Sequence, residues 1–328
     1  MIKVINPGLY TSVQDYPGRI GYWRVGVPPS GPMDPLAFRI GNKLVGNTDD
    51  AAGLEITMGG PTLTFCENTI IALTGARLVA KLDGCGIPWW KPIHIRAGST
   101  LEMGYTDNSG GLRTYLAVRG GIDVPLYLGS RSTFPFGEYG GFKGRILEAG
   151  DELDVGEQCV SDNGLTAIRH FSVVAEPTYP DRWEIGVVEG PHSNPDYFTD
   201  DDAKMIYDTW WKIHHNSNRL GYRLEGPNPE FTRSSGGEGG SHPSNILDYT
   251  YAVGTINFTG NMPIILTVDG PSLGGFVSFA TIATAEQWKI GQARPGDYMR
   301  FVKIELEDAL RLERWQEAMI ASIAPDYY

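Results

Sequence analysis

Hydrophobic residues fall along this chain mostly in short alternating runs rather than in long helical stripes. "TIIALTGA" (69–76), "RLVAKLDG" (77–84), "IHIRAG" (93–98), "RTYLAVRGG" (113–121) and "DELDVG" (151–156) are brief apolar or period-two segments bounded by Gly, Asn or Asp. Such a pattern predicts strands joined by tight turns. "RWEIGVVEGP" (182–191) resumes it after a polar, weakly periodic stretch at 156–182. Helical spacing appears in three places. Within 31–47, Leu36, Phe38, Ile40, Leu44 and Val45 follow Asp34 as cap and Pro35 in the first helical position. At 199–213, Thr199 caps a segment with three aspartates in its first turn, where the helix dipole favours negative charge. At 304–324, Leu306, Ala309, Leu310, Leu312, Trp315, Met319 and Ile320 predict an amphipathic helix, expected to pack on its own lobe.

The two halves read as copies. "YLAVRGG" (115–121) matches "ILTVDGP" (265–271), "LEAGDELDV" (147–155) matches "ARPGDYMRF" (293–301), and "LEITMGGPTLTF" (54–65) resembles "YRLEGPNPEF" (222–231), in the same order. A duplicated, mostly β unit is the economical explanation, each copy large enough for its own barrel. The expected organisation is a first β-barrel lobe at 1–165, a second at 175–303 and a C-terminal helix at 304–328. Length agrees, since 328 residues exceed what one core usually supports. So do 42 glycines and 22 prolines, which suit many turns and not a helical bundle.

Charge and cysteine content narrow the function. A net charge of −12 argues against nucleic acid as a partner. Three widely spaced cysteines, with no CxxC, fit reduced cytoplasmic thiols better than a disulfide framework or a zinc site. No signal peptide and no membrane span is read. P-loop, HExxH and Rossmann signatures are missing, and no strand-to-helix nucleophile elbow is read. The adjacent His214 and His215 would point apart on a strand, so no metal site is expected.

Four Gly/Pro-dense segments carry the remaining chemistry: 15–34, 216–227, 236–245 and 258–276. They place Arg19, Ser30, Asp34, Asn218, Arg219, His242, Ser244, Asn245, Asn261, Asp269 and Ser272 beside permissive backbone. Exposed amides next to such side chains suit an oxyanion or a carboxylate. Taken singly, each segment also reads as an ordinary tight turn, and His242 as a hydrogen-bonded loop residue.

The motifs "VQDYPGRIGYWRVGVPPSGPMD", "AAGLEITMGGPTLTF", "YLAVRGGIDVPLYLGSRSTF", "SNRLGYRLEGP", "GGEGGSHPSN", "MPIILTVDGPSLGGF" and "GQARPGD" resemble the allophanate hydrolase subunit 2 (KipA-like) family. They are closer to its version inside the carboxyltransferase domain of biotin-dependent urea carboxylases. The resemblance runs from about residue 1 to about residue 303. It implies two cyclophilin-like β-barrel lobes. It also implies transfer of carboxylate from N-carboxybiotin to urea or a similar amide or guanidine-type acceptor. Such enzymes further carry a biotin carboxylase that uses ATP, a KipI-like second half and a biotinyl carrier. None of those motifs is in these 328 residues, so the chain is expected to act with such partners, as a subunit or a fragment. His242, Ser244 and Asn245 are the expected catalytic residues. Ser30, Asp34, Arg219, Tyr222, Asp269, Ser272 and Gly274 are the expected substrate-binding ones. Two other functions fit the same family: a subunit of a 5-oxoprolinase-type ATP-dependent amidohydrolase, and a non-catalytic regulator that binds protein.

Overall fold

The computed structural model describes residues 1–107, 109–157 and 176–323. It is mostly β, with four α-helices among the described residues. The strands predicted from alternation form at Thr69–Gly75, Leu78–Leu82, Pro92–Ile95, Arg113–Val118, Glu152–Val155 and Arg182–Glu189. The chain divides into two compact units that are not continuous in sequence. One holds 1–20, 30–179 and 317–328; the other holds 21–29 and 180–316. The segment that separates the expected lobes lies largely outside the described residues.

In the first unit the strands build two sheets. A five-stranded one runs Thr11–Gln14, Gly53–Thr57, Arg113–Val118, Thr69–Gly75, Pro92–Ile95, and a seven-stranded one has Ile2–Asn6 and Thr62–Phe65 near its centre. Thr69–Gly75 and Arg113–Val118 are buried at every position, which is why their sequences read as apolar runs rather than strict alternation. Helix α1 (Pro35–Leu44) packs on these two strands. The Asp34 carboxylate caps it by accepting the Ala37 N–H at 2.8 Å.

In the second unit seven strands close into a barrel, in the order Arg182–Glu189, Ser278–Ile282, Thr255–Thr259, Met262–Leu266, Gly221–Glu225, Trp211–Ile213, Tyr298–Lys303. The closing pair, Arg182–Glu189 with Tyr298–Lys303, is parallel. Trp183, Trp211, Phe258 and Phe279 are fully buried, and burying one such ring stabilises the fold by roughly 1.5–3 kcal/mol. Helix α2 (Asp200–Asp208) starts at the cap predicted at Thr199, which the structure extends to a capping box with Asp202 as the reciprocal partner. Helix α3 (Gln287–Gln292) is short. Two of the matched segments agree in pairing, since Arg113–Val118 lies antiparallel to Gly53–Thr57 and Met262–Leu266 lies antiparallel to Gly221–Glu225. The third differs, with Glu152–Val155 antiparallel to Ile2–Asn6 and Tyr298–Lys303 parallel to Arg182–Glu189.

Three expectations change. The helix read over 199–213 ends at Asp208, and Trp211–Ile213 is a strand of the barrel. Helix α4 (Leu306–Ala321) buries Ala309 and Ile320 but leaves Leu306 60% and Trp315 67% exposed, so it does not pack as a single apolar face. Leu306 and Leu310 stand on one side of it, while Leu312, Trp315 and Met319 stand on another, and a straight helix cannot turn both to one core. His214 and His215 lie just past the end of the Trp211–Ile213 strand, where alternation no longer holds, and their rings approach to 4.0 Å between centroids.

Candidate functional site

The glycine run of the second unit is packed under a strand and is no loose linker. A Cβ on Gly236 would stand 2.6 Å from the Asn245 carbonyl oxygen, and one on Gly239 would stand 2.5 Å from the Ile246 carbonyl carbon. Only glycine allows the backbone this close. The support ends at a turn in which Asn245 N donates to His242 O at 2.9 Å.

Within that turn the side chains fix one another. Ser244 is fully buried, and its N–H donates to His242 Nδ1 at 3.1 Å. Its Oγ lies 2.9 Å from the same nitrogen and accepts the Gly260 N–H at 3.1 Å. A backbone N–H can only donate, so Nδ1 of the neutral ring is unprotonated and the proton sits on Nε2. Asn245 Oδ1 accepts the His242 N–H at 3.2 Å. That contact orients the carboxamide, and among the described residues nothing accepts from its Nδ2. The turn therefore offers neutral N–H donors. It does not leave His242 Nδ1 open as a base.

Asn245 opens the strand Asn245–Thr250, which pairs antiparallel with Leu273–Phe276, so the segments "SHPSN" and "DGPSLGGF" lie side by side. The Tyr251 hydroxyl accepts from Phe276 N at 2.8 Å and donates to Phe276 O at 3.1 Å, locking the ribbon. Gly274 fits against the Tyr251 ring, where a Cβ would come within 3.0 Å. Buried Ser272 contributes its carbonyl, which accepts from Tyr251 N at 2.8 Å. Trp23 Nε1 donates to the Tyr251 carbonyl, holding the 21–29 segment to this unit.

Other expected residues have structural partners. Arg219 Nε and Asp269 Oδ2 form a buried ion pair at 2.7 Å, and Asp269 N donates back to Arg219 O at 3.0 Å. Together they tie two turns at one end of the barrel. Tyr222 is a core residue, 1% exposed, with its hydroxyl donating to Ala293 O at 3.3 Å. Ser30 and Asp34 belong to the first unit. Ser30 sits at φ 55° beneath the buried Arg19 guanidinium, and Asp34 is spent on the α1 cap. A cavity of about 350 Å³ in that unit, bordered by Asp50, Gly121, Asp123 and Arg131 among others, includes none of the expected site residues.

The sequence reading passed over two residues beside the turn. Arg233 Nε donates to Pro243 O at 2.7 Å, and its Nη2 donates to Asn245 O. Its guanidinium also stacks on Tyr197, 4.6 Å from the ring centroid. His192, 8% exposed, meets the Tyr197 and Tyr249 rings edge-on at 4.8 and 4.6 Å. Burial, and then the Arg233 charge, push its pKa down from the usual value. The only linear signal was a histidine following "EGP" at the end of a strand, which is weak alone. Among the described residues no cluster of three or more His, Cys, Asp or Glu could hold a metal ion. No described helix is long and apolar enough to cross a membrane.

Comparison with known proteins gives the arrangement its context. The model of the carboxyltransferase domain, subdomain A and B, matches residues 25–303. Urea amidolyase of Saccharomyces cerevisiae is 48% identical over 324 residues, covering 98% of this chain and 18% of the yeast protein. A 5-oxoprolinase subunit of Escherichia coli is 33% identical over 329 residues, 99% of this chain and 98% of that subunit. The crystal structure of Kluyveromyces lactis urea carboxylase superposes with a TM-score of 0.89 at 44% identity, over 100% of this chain and 30% of that one. The chain thus spans less than a third of the two yeast proteins and nearly all of the bacterial subunit. With its mostly β fold, closed barrel and matched motifs, the chain belongs to the family of carboxyltransferase domains, subdomains A and B.

Proposed function

We propose that the chain supplies the A/B half of a biotin-dependent carboxyltransferase that acts on urea or a similar small amide or guanidine-type acceptor. The observation that carries this reading is the 242–245 turn, which presents the Asn245 Nδ2 protons and the His242 Nε2–H as oriented, uncharged donors. Donors held this way fit the oxygen of a ureido group, whether on biotin or on the acceptor, and need no reorganisation when negative charge gathers on it. Carboxybiotin, carried on another domain or subunit, supplies the carboxyl group when bound. Asn245 orients the oxygen it meets, and His242 holds its proton on Nε2. Ser244 fixes the imidazole and Gly260 fixes Ser244. The acceptor's proton goes to a group other than His242 Nδ1, whose lone pair already receives Ser244. A KipI-like second half, a biotin carboxylase using ATP and a biotinyl carrier are the partners this reading requires.

The test is co-production of the chain with a KipI-like subunit, a biotin carboxylase and a biotinylated carrier, followed by acceptor-dependent ATP turnover. Turnover with urea, guanidine or a small amide that vanishes without this chain supports the reading. A second reading, a subunit of a 5-oxoprolinase complex, draws on the near full-length match to the bacterial protein. It predicts 5-oxoproline-dependent turnover that needs no biotin. Stoichiometric protein binding without turnover on any acceptor would leave only the regulatory role.

A further inference from the structure

We propose that His192 is a second substrate-orienting donor, held as a neutral imidazole with its proton on Nε2 and directed at an oxygen of the carboxyl donor or acceptor. The inference rests on the carboxyltransferase reading above, and its central observation, the His192–Ser278 pair, does not involve the 242–245 turn. The His192 backbone N–H donates to Ser278 O at 3.2 Å, and the Ser278 N–H returns a bond to His192 Nδ1 at 3.1 Å. This reciprocal pair fixes the ring against the Ser278–Ile282 strand. As at His242, an obligate donor occupies Nδ1, so a neutral ring carries its hydrogen on Nε2. Among the described residues no group bonds that Nε2.

The surroundings keep the ring uncharged. Tyr197, in the loop before α2, and Tyr249, in the Asn245–Thr250 strand, press their rings against it. Arg233, held on the carbonyls of Pro243 and Asn245, is the charged group facing it. Ser278, from the barrel strand, faces it with a neutral amide and a hydroxyl bonded to Asn257. A cation beside an imidazole opposes its protonation, so Nε2 serves as a donor and not as an acid. His192 also lies close to the turn along the chain of contacts. The residue next to Ser278, Val277, donates to Ser244 O at 2.9 Å, and Arg233 links the Asn245 carbonyl to the Tyr197 ring. The geometry thus repeats one device, a backbone N–H into Nδ1 with Nε2–H left over, at two histidines of one site.

Two substitutions separate orientation from packing. His192→Asn keeps an acceptor for the Ser278 N–H but withdraws the outward donor. His192→Gln restores an N–H near the position of Nε2. In the reconstituted assembly, His192→Asn should lower kcat/KM for the acceptor on the order of 100-fold, and His192→Gln should recover to within about tenfold of wild type. Thermal midpoints of both should stay within roughly 4 °C of wild type. Wild-type rates in His192→Asn, or equal losses in both variants, overturn the proposal. Nitrogen NMR of the chain with labelled histidine gives a readout apart from activity. The Nε2–H tautomer near neutral pH is expected, and an Nδ1–H or cationic ring overturns the assignment. If the wild-type assembly transfers nothing, the functional reading has failed on its own. The proposal then stands or falls on whether urea or biotin, added as probes, shifts the His192 Nε2–H resonance.

Discussion

At the residue scale, the proposed site is a matter of which hydrogen-bonding positions the fold has already filled. Asn245 has its oxygen committed to the turn and its amide protons left over. Asn245→Ala should therefore cut transfer in the reconstituted assembly by about 100-fold, with little change in thermal midpoint, as measured by acceptor-dependent ATP turnover and calorimetry. His192 supplies a prediction in solution that needs no partner. Its pKa is depressed in the folded chain, so below the ordinary value of 6.5 the unfolded chain takes up a proton that the folded chain resists. Stability from this group is complete above that pH and is lost as pH falls through the folded value. Thermal midpoints measured from pH 7.5 down to 5 should fall more steeply in wild type than in His192→Asn. The residue types at 242–245 were legible in the sequence, but their roles were not. Nothing in "SHPSN" says that Ser244 would take the Nδ1 lone pair, because that depends on the turn's curvature and on Gly260 arriving from elsewhere.

At the element scale, the turn is held by neighbours whose own local signals are strong. Asp202, 4% exposed, closes the α2 capping box and also accepts from Glu230 N at 2.8 Å and Phe231 N at 3.0 Å. Phe231 in turn meets the His242 ring at 5.6 Å, perpendicular to it. Burial alone would raise the Asp202 carboxyl, but the N–H groups of Glu230, Thr199 and Phe231 outweigh it and hold the pKa below the usual 3.8. The stability it contributes is present above that value and disappears as pH falls through the lower folded one. Asp202→Ala should cost about 2–4 kcal/mol, since three backbone donors lose their acceptor, and chemical denaturation at neutral pH checks it. Gly239→Ala tests the support beneath the turn. Its Cβ would collide with backbone at Ile246, so a loss of about 1–3 kcal/mol is expected, with a weakened site and an intact barrel by circular dichroism. Helix starts at Asp34 and Thr199 were readable because caps act within four residues. The glycine run was ambiguous because close approach involves a strand that the run itself does not name.

At the scale of the whole molecule, the fold supplies one half of what the proposed chemistry needs. Co-expression with a KipI-like subunit should give a single co-eluting species in gel filtration, and separate peaks at micromolar concentration would count against the heteromeric reading. Helix α4 adds a detail that periodicity alone did not settle: Glu317 bonds Arg39 through both oxygens, at 2.5 and 2.6 Å, while Trp315 stays exposed. Amphipathic spacing shows where apolar residues fall on a helix, not which side a neighbour covers. By itself the sequence determined the β-rich character, the positions of most strands, the two capped helices, the repeated order of motifs and the family, because these rest on local backbone preference and on matches along the chain. Tertiary structure decided the rest. It closed seven strands into a barrel in one unit and left two sheets in the other, since closure depends on a long-range parallel pairing of Arg182–Glu189 with Tyr298–Lys303. It turned Arg219, Asp269 and Tyr222 inward to partners of the barrel. It brought His192 to within two bonded contacts of Ser244, across 52 positions of chain that carry no local trace of the meeting.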